Sequence, residues 1–297
     1  MIFLNNYNQI IGKTKLSFAD IGASGDLQNR LKKFKKFFKI FLFEPNYDEY
    51  EKLKKKYKKK NVKIKIYKYA LGNKNQKKKL YITQGPYQTS FLKPNFSLVN
   101  KYENSKRFKI NKTSIVNCKK LDGFRDNFDI IKIDTQGFNY EVLQGAKKKL
   151  KNILAIEIEA EFVQIYKKQK LFEDTKKFLE KKNFFFVDFL NIRRWSNYNY
   201  DFFGNSIFTN ALFIKDPYSI KINKKKNYKK LIFISLLYNK LNIIKDLSKY
   251  LNYNENIAIE KIILKKKFWF IFPKILNSVF LRFNRIFNKN IDTTFFT

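Results

Sequence analysis

Histidine is missing altogether from this 297-residue chain, and cysteine occurs once, as Cys118. Without an imidazole there is no histidine general base, no Ser-His-Asp triad and no histidine metal ligand. A single thiol excludes an internal disulfide and a cysteine zinc cluster, so no metal site is expected and a reducing cytoplasmic setting fits. Glycine and proline are scarce too, at 9 and 5 residues, which argues against a low-complexity chain. No apolar run approaches the roughly 20 residues that span a bilayer. The opening residues lack the basic and apolar regions of a secretory signal, and a cytoplasmic location is the expectation.

What is present is apolar and cationic. Hydrophobic residues make up 44%, with 33 Phe and 18 Tyr, enough for one core of roughly 200 residues and an extension. Lys and Arg outnumber Asp and Glu by 63 to 25, a net charge of +38. Such density attracts phosphate-rich partners and anionic surfaces. The joint abundance of Lys, Asn, Ile, Phe and Tyr is equally what AT-rich coding would leave on tolerant surface positions. Both sources of the charge stay open at this level.

From residue 17 onward, short apolar runs alternate with Lys-rich amphipathic stretches, the pattern of βαβ units and a parallel sheet. Strands are expected at 17–21, 39–43, 62–67, 130–134, 153–159, 184–189 and 207–214. Helices are expected near 27–34, 47–59, 140–150 and 171–181. Residues 85–113 have weak periodicity and turn signals at Gly85-Pro86 and Lys93-Pro94-Asn95, and read as a long loop near a ligand. The last two strands, joined by an irregular segment over 191–205, suit an antiparallel hairpin at a sheet edge. The expectation is a Rossmann-like α/β fold, a seven-stranded mostly parallel sheet with helices on both faces. After residue 215 the alternation stops, so residues 1–215 read as the core domain and 216–297 as a basic, helical C-terminal extension. Its basic-aromatic stretch, 265–286, suits either peripheral contact with an anionic membrane or a helix that caps the core or closes an oligomer.

Three constellations carry chemistry. Asp20-Ile21-Gly22-Ala23-Ser24-Gly25 follows a strand and precedes a helix; small residues there let backbone N–H groups approach a nucleoside derivative. The three-glycine dinucleotide fingerprint is not met. An acid directly ahead of the glycines suits a cationic amino acid moiety, and Glu44, ending the next strand before Pro45, stands where a carboxylate accepts from ribose hydroxyls. On the strand at 130–134, Lys132 and Asp134 share one face of an otherwise apolar run. On the next strand, Glu157, Glu159 and Glu161 alternate to one side and reach the same carboxyl edge.

Taken in order, Asp-Ile-Gly-Ala at 20–23, Phe-Glu-Pro at 43–45, Ala70-Leu71-Gly72, Leu121-Asp122, Lys-Ile-Asp-x-x-Gly at 132–137 with Val142-Leu143-Gln144-Gly145-Ala146, Ile-Glu-Ile-Glu at 156–159 and Ala211-Leu212-Phe213 resemble the FkbM-type methyltransferase family. The resemblance runs from about residue 17 to 215. It implies a class I methyltransferase fold, S-adenosyl-L-methionine as cofactor, and O-methylation of a sugar, nucleotide-sugar or glycan hydroxyl. Asp20, Gly22, Ala23, Gly25, Glu44, Pro45, Ala70 and Leu71 are then the candidate cofactor-binding residues. With no histidine available, Asp134 is the first candidate base and Glu159 the second, with Lys132 orienting acceptor or acid. Two departures stand out. The family's frequent Asp-Val-Glu-Gly-Ala-Glu is here Asp134-Thr135-Gln136-Gly137-Phe138-Asn139, with two acids turned to amides, and Ser24 replaces a loop glycine. An RNA methyltransferase and a cofactor-binding membrane-surface scaffold are the rival readings. No base-stacking motif supports nucleic acid as the acceptor.

Overall fold

The computed structural model describes residues 2–25, 27–58, 64–103, 105–197, 204–217 and 225–265. By contact density the chain divides into two units, Thr14–Leu231 and a second that joins Met1–Lys13 to the chain from Ile232 onward. In the second unit, helix α1 (Ile2–Ile11) buries Tyr7 edge-on against Phe233 with ring centroids 5.5 Å apart. The basic-aromatic stretch lies, beyond Lys265, outside the described residues. No helix among the described residues is long and apolar enough to cross a membrane.

The Thr14–Leu231 unit is built on a seven-stranded sheet. Its strands are β1 (Leu16–Ile21), β2 (Phe38–Phe43), β3 (Ile64–Tyr67), β7 (Ile130–Ile133), β8 (Ala155–Glu161), β9 (Phe184–Trp195) and β10 (Asn205–Lys215). They lie in the order β3-β2-β1-β7-β8-β10-β9. Every recorded pairing is parallel except those of β10, which runs antiparallel to both β8 and β9. The edge hairpin expected from the sequence is therefore present. Its first strand runs on to Trp195, well into the stretch expected to be irregular. β7 is buried at all four positions and β8 at all seven, as strands covered on both faces must be. Between them and α5 (Asn139–Gln144), Ile131, Ile133, Val142, Leu143, Ile156 and Ile158 form the centre of the core.

A second sheet was not foreseen. β4 (Ala70–Leu71), β6 (Ile110–Lys119) and β5 (Gln76–Thr83) pair in that order. β5 buries only Leu80 and Thr83, and β6 only Cys118, so few inward positions remain to show the alternation that marks a strand. The segment expected as one loop over 85–113 instead contains a 3-10 turn at Pro86–Gln88, helix α4 (Phe96–Val99), a second 3-10 turn at Ser105–Phe108 and the start of β6.

Candidate functional site

The sheet order reverses between β1 and β7, and open α/β sheets bind ligands outside the carboxyl ends of the strands at such a point. There Asp134 N donates to Ile21 O at 2.9 Å. The two exits lie so close that a Cβ on Gly22 would fall 1.9 Å from the Asp134 carbonyl oxygen, and Gly22 has φ +82°. Only glycine meets both demands.

Just inside this edge, strand register aligns Asp20, Lys132 and Glu157 across β1, β7 and β8. Lys132 Nζ lies 3.4 Å from Asp20 Oδ1 and 3.3 Å from Asp134 Oδ2. Burial works against the ammonium, but the carboxylates of Asp20, Asp134 and Glu157 outweigh it and hold the Lys132 pKa above the ordinary lysine value. Burial pushes the Asp20 carboxyl upward, against the pull of Lys132. Glu157 is capped from the other side by an ion pair with Arg30 and by Gln28 Nε2 at 3.0 Å. Asp20, Lys132 and Glu157 each have an opposite partner, the condition under which such charges persist in a core.

The turn after β7 carries the two amides. Gln136, at φ +52°, donates from Nε2 to Asp134 Oδ1 and Glu159 Oε2, both at 3.0 Å. Its Oε1 accepts from the Tyr166 hydroxyl at 2.8 Å. Asn139 accepts at Oδ1 from the Thr135 amide (2.7 Å) and hydroxyl (2.8 Å) and donates to the Glu159 carbonyl at 2.9 Å. Gly137, with φ +82°, lies where a Cβ would be 2.8 Å from the Tyr166 ring. The two acids titrate apart. Burial opposes charge on Asp134, but Lys132 and the Gln136 amide reverse this and hold it below the usual carboxylate range. Burial, then the charges of Asp134 and Glu161, push Glu159 well above it. Asp134 is thus favoured in the charged form and Glu159 in the protonated form, the two environments pushing the paired acids apart. Burial also raises Glu161 to about 8, against its own amide hydrogen bond.

Two cavities meet at Asp134. The first is lined by Gly22, Glu44, Asn46, Tyr69, Leu71 and Phe91, and further by Ile21, Pro45, Ala70 and Lys132. Glu44 is 5% exposed; its Oε1 accepts the Asn46 amide at 2.8 Å, and burial raises its pKa to about 7. This chemistry fits an adenosine derivative: a carboxylate at the end of the second strand for a ribose diol, an apolar wall of Leu71, Leu80 and Phe91 for a base, and bare backbone at Gly22. The second cavity is lined by Arg107, Phe108, Glu159, Arg193, Arg194 and Trp195, and shares Tyr87, Asp134 and Gln136 with the first.

Of the candidate cofactor residues, Gly22, Glu44, Pro45, Ala70 and Leu71 line the first cavity, while Asp20, Ala23 and Gly25 do not. Asp20 instead lies against Lys132. Ala23 donates its amide to Phe43 O at 3.1 Å. Gly25 has φ +89° and packs 3.6 Å from the Tyr87 ring when given a Cβ. Asp134 faces both cavities, Lys132 the first and Glu159 the second. In the sequence Gln136 stands out only as a departure from the family pattern, and Tyr87 and the cavity arginines belong to none of the three constellations. The arginines had one available signal, their rarity in a Lys-rich chain.

Fold and site define an S-adenosylmethionine-type methyltransferase domain: a seven-stranded sheet with one reversed strand and, at its switch point, a cavity that combines a buried carboxylate with an apolar wall. The profile of the Methyltransferase FkbM domain matches residues 18–186, and the chain belongs to that family. Its cofactor is S-adenosylmethionine. No curated protein sequence matches the chain. Among solved structures it is similar to TehB from Haemophilus influenzae, at 12% identity and TM-score 0.37, covering 72% of this chain and 62% of that one. A TehB-like SAM-dependent methyltransferase from Corynebacterium glutamicum is 13% identical with TM-score 0.34, covering 71% and 87%. An rRNA methylase from Streptococcus thermophilus is 7% identical with TM-score 0.35, covering 72% and 96%. The chain thus spans less than two thirds of TehB, and similarity at this level says nothing about its substrate.

Proposed function

We propose that the protein is an O-methyltransferase acting on a sugar or glycan hydroxyl, with Asp134 as the base. The carrying observation is that Asp134, the charged member of the acid pair, borders both cavities. When bound, S-adenosylmethionine supplies an already activated methyl group, so alignment and proton removal are what remain for the protein. Glu44, Gly22 and the apolar wall hold the nucleoside in the first cavity. An acceptor hydroxyl in the second cavity gives its proton to an Asp134 carboxylate oxygen as its own oxygen gains the methyl group. Lys132 holds Asp134 ionised and in place, and Gln136 ties it to Glu159. Domain limits of 1–215 for the catalytic part and 216–297 for the extension go with this reading.

The acceptor class rests on the family and on a cavity walled by both acids and aromatics, a surface suited to a polyhydroxylated ring. Methyl incorporation from labelled donor is measured into nucleotide sugars, purified glycan and total RNA. Label in a sugar hydroxyl is the expected result. Label confined to RNA overturns the acceptor assignment.

A further inference from the structure

Lysine is the default cation of this chain: only seven of its 63 basic residues are Arg. Five of the seven fall among the described residues, and three of those five, Arg107, Arg193 and Arg194, line the second cavity. Of the other two, Arg30 pairs with Glu157, and Arg125, exposed as Arg193 and Arg194 are, lines neither cavity. In a chain where Lys is nearly the only cation, three Arg in one cavity place planar, forked donors there; guanidinium binds phosphate oxygens in pairs, whereas an ammonium binds them as a point charge.

Two of the three, Arg107 and Arg194, are held in place by neighbours. The Arg107 guanidinium lies over the Trp195 ring, 4.9 Å from its centroid, and 5.3 Å from that of Phe108. Trp195 is itself wedged between Tyr102 at 5.5 Å and Phe108 at 5.7 Å. Arg193 and Arg194 directly precede Trp195 on β9, and Arg194 Nη1 is steadied by the Gly204 carbonyl at 3.3 Å. Asp134, Gln136 and Glu159 line the same cavity, and Glu103, an exposed residue, is its remaining acid.

We propose that the acceptor is a phosphorylated sugar: a sugar hydroxyl is presented to Asp134 while Arg107, Arg193 and Arg194 hold a phosphoryl or pyrophosphoryl group on the same molecule. This rests on the sugar O-methyltransferase reading above and narrows it. Three guanidinium groups match a multiply charged phosphoryl group better than a single carboxylate. A neutral glycan would leave all three without a role in recognition.

The full-length protein is tested with two readouts. Calorimetry follows binding of inorganic pyrophosphate to the wild type and to Arg107→Lys, Arg193→Lys and Arg125→Gln. The two lysine variants keep the net charge and so preserve the bulk field; each should weaken binding about 10-fold through loss of paired hydrogen bonds, while Arg125→Gln leaves it unchanged. Labelled methyl transfer is then compared between UDP-glucose, glucose 6-phosphate, glucose and maltose, with the phosphorylated sugars expected to be methylated at least about 10-fold faster, as one charge-assisted contact allows. Equal rates on neutral and phosphorylated sugars overturn the proposal. So does pyrophosphate binding that ignores the lysine variants and follows net charge. If no sugar is methylated while pyrophosphate binding still falls only in the cavity variants, the sugar reading fails and the anion site stands.

Discussion

Gln136 donates from one side-chain nitrogen to Asp134 Oδ1 at 3.0 Å and so ties the proposed base to Glu159, which the same nitrogen reaches at 3.0 Å. An amide can do this because its NH2 offers two hydrogens, whereas a carboxylate offers none.

Gln136→Glu should therefore destabilise the protein. It removes both donors and sets a third acid beside two others, at a cost of about 1–3 kcal/mol at neutral pH. The loss should shrink as pH falls from about 7 to about 4, because an acid set among buried acids takes up its proton above the ordinary glutamate value of about 4.3. Denaturant melts at the two pH values read this directly, and an unchanged midpoint at neutral pH would rule out the bridge.

Asp134→Asn should lower turnover by about 10²–10⁴ while cofactor affinity shifts by only a few-fold. Lys132 keeps Asp20 and Glu157 as partners in this variant, which protects the fold. Single-turnover kinetics beside cofactor calorimetry separate the two effects. Equal losses in both would move Asp134 from proton transfer to cofactor binding.

Glu44→Gln should weaken S-adenosylmethionine by about 10–100-fold, the range for losing a hydrogen bond to a charged acceptor. Turnover at saturating cofactor should change far less. A cofactor dissociation constant matching the wild type would remove Glu44 from the site.

Stability without cofactor should fall as pH rises from about 4.5 to 8. Glu44 and Glu161 bind protons more tightly folded, at about 7 and about 8, than in the unfolded chain. Their contribution is full below the unfolded carboxylate value and is lost as pH climbs through the folded values. Glu159 and Asp20, also raised, act in the same direction. Thermal melts across this range should show the decline, and Glu44→Gln should flatten it by on the order of 1–3 kcal/mol. A rise in stability over the same window would contradict the burial of these acids.

Gly22→Ala should be among the most damaging small substitutions. Its Cβ would fall 1.9 Å from the Asp134 carbonyl oxygen at a φ of +82°, so the β1 and β7 exits must separate. A loss of about 2 kcal/mol or more is expected, with the melting temperature as the measurement. A melting temperature within error of the wild type would mean that the turn tolerates a side chain.

Much of this was legible from local pattern. Apolar runs punctuated by Lys-rich helices disclose β1, β2, β7 and β8, and Gly22, Glu44 and Asp134 follow from their places at strand ends, because periodicity and turn chemistry are local. The β5–β6 pair is not legible because each strand buries only one or two side chains, too few to mark an inward face. The place of Asp20 beside Gly22 is local; its register with Lys132, set by a strand more than a hundred residues later, and the ion pair that follows are not.

By itself, then, the chain's sequence determined the layered α/β core, the switch-point acids and the family, since each is written in residues a few positions apart. Tertiary structure alone decided that Gln136 joins two acids from different strands, and that Arg107 and Arg193 face one cavity with Asp134. Those relations depend on strand order and register, and no short window of sequence contains them.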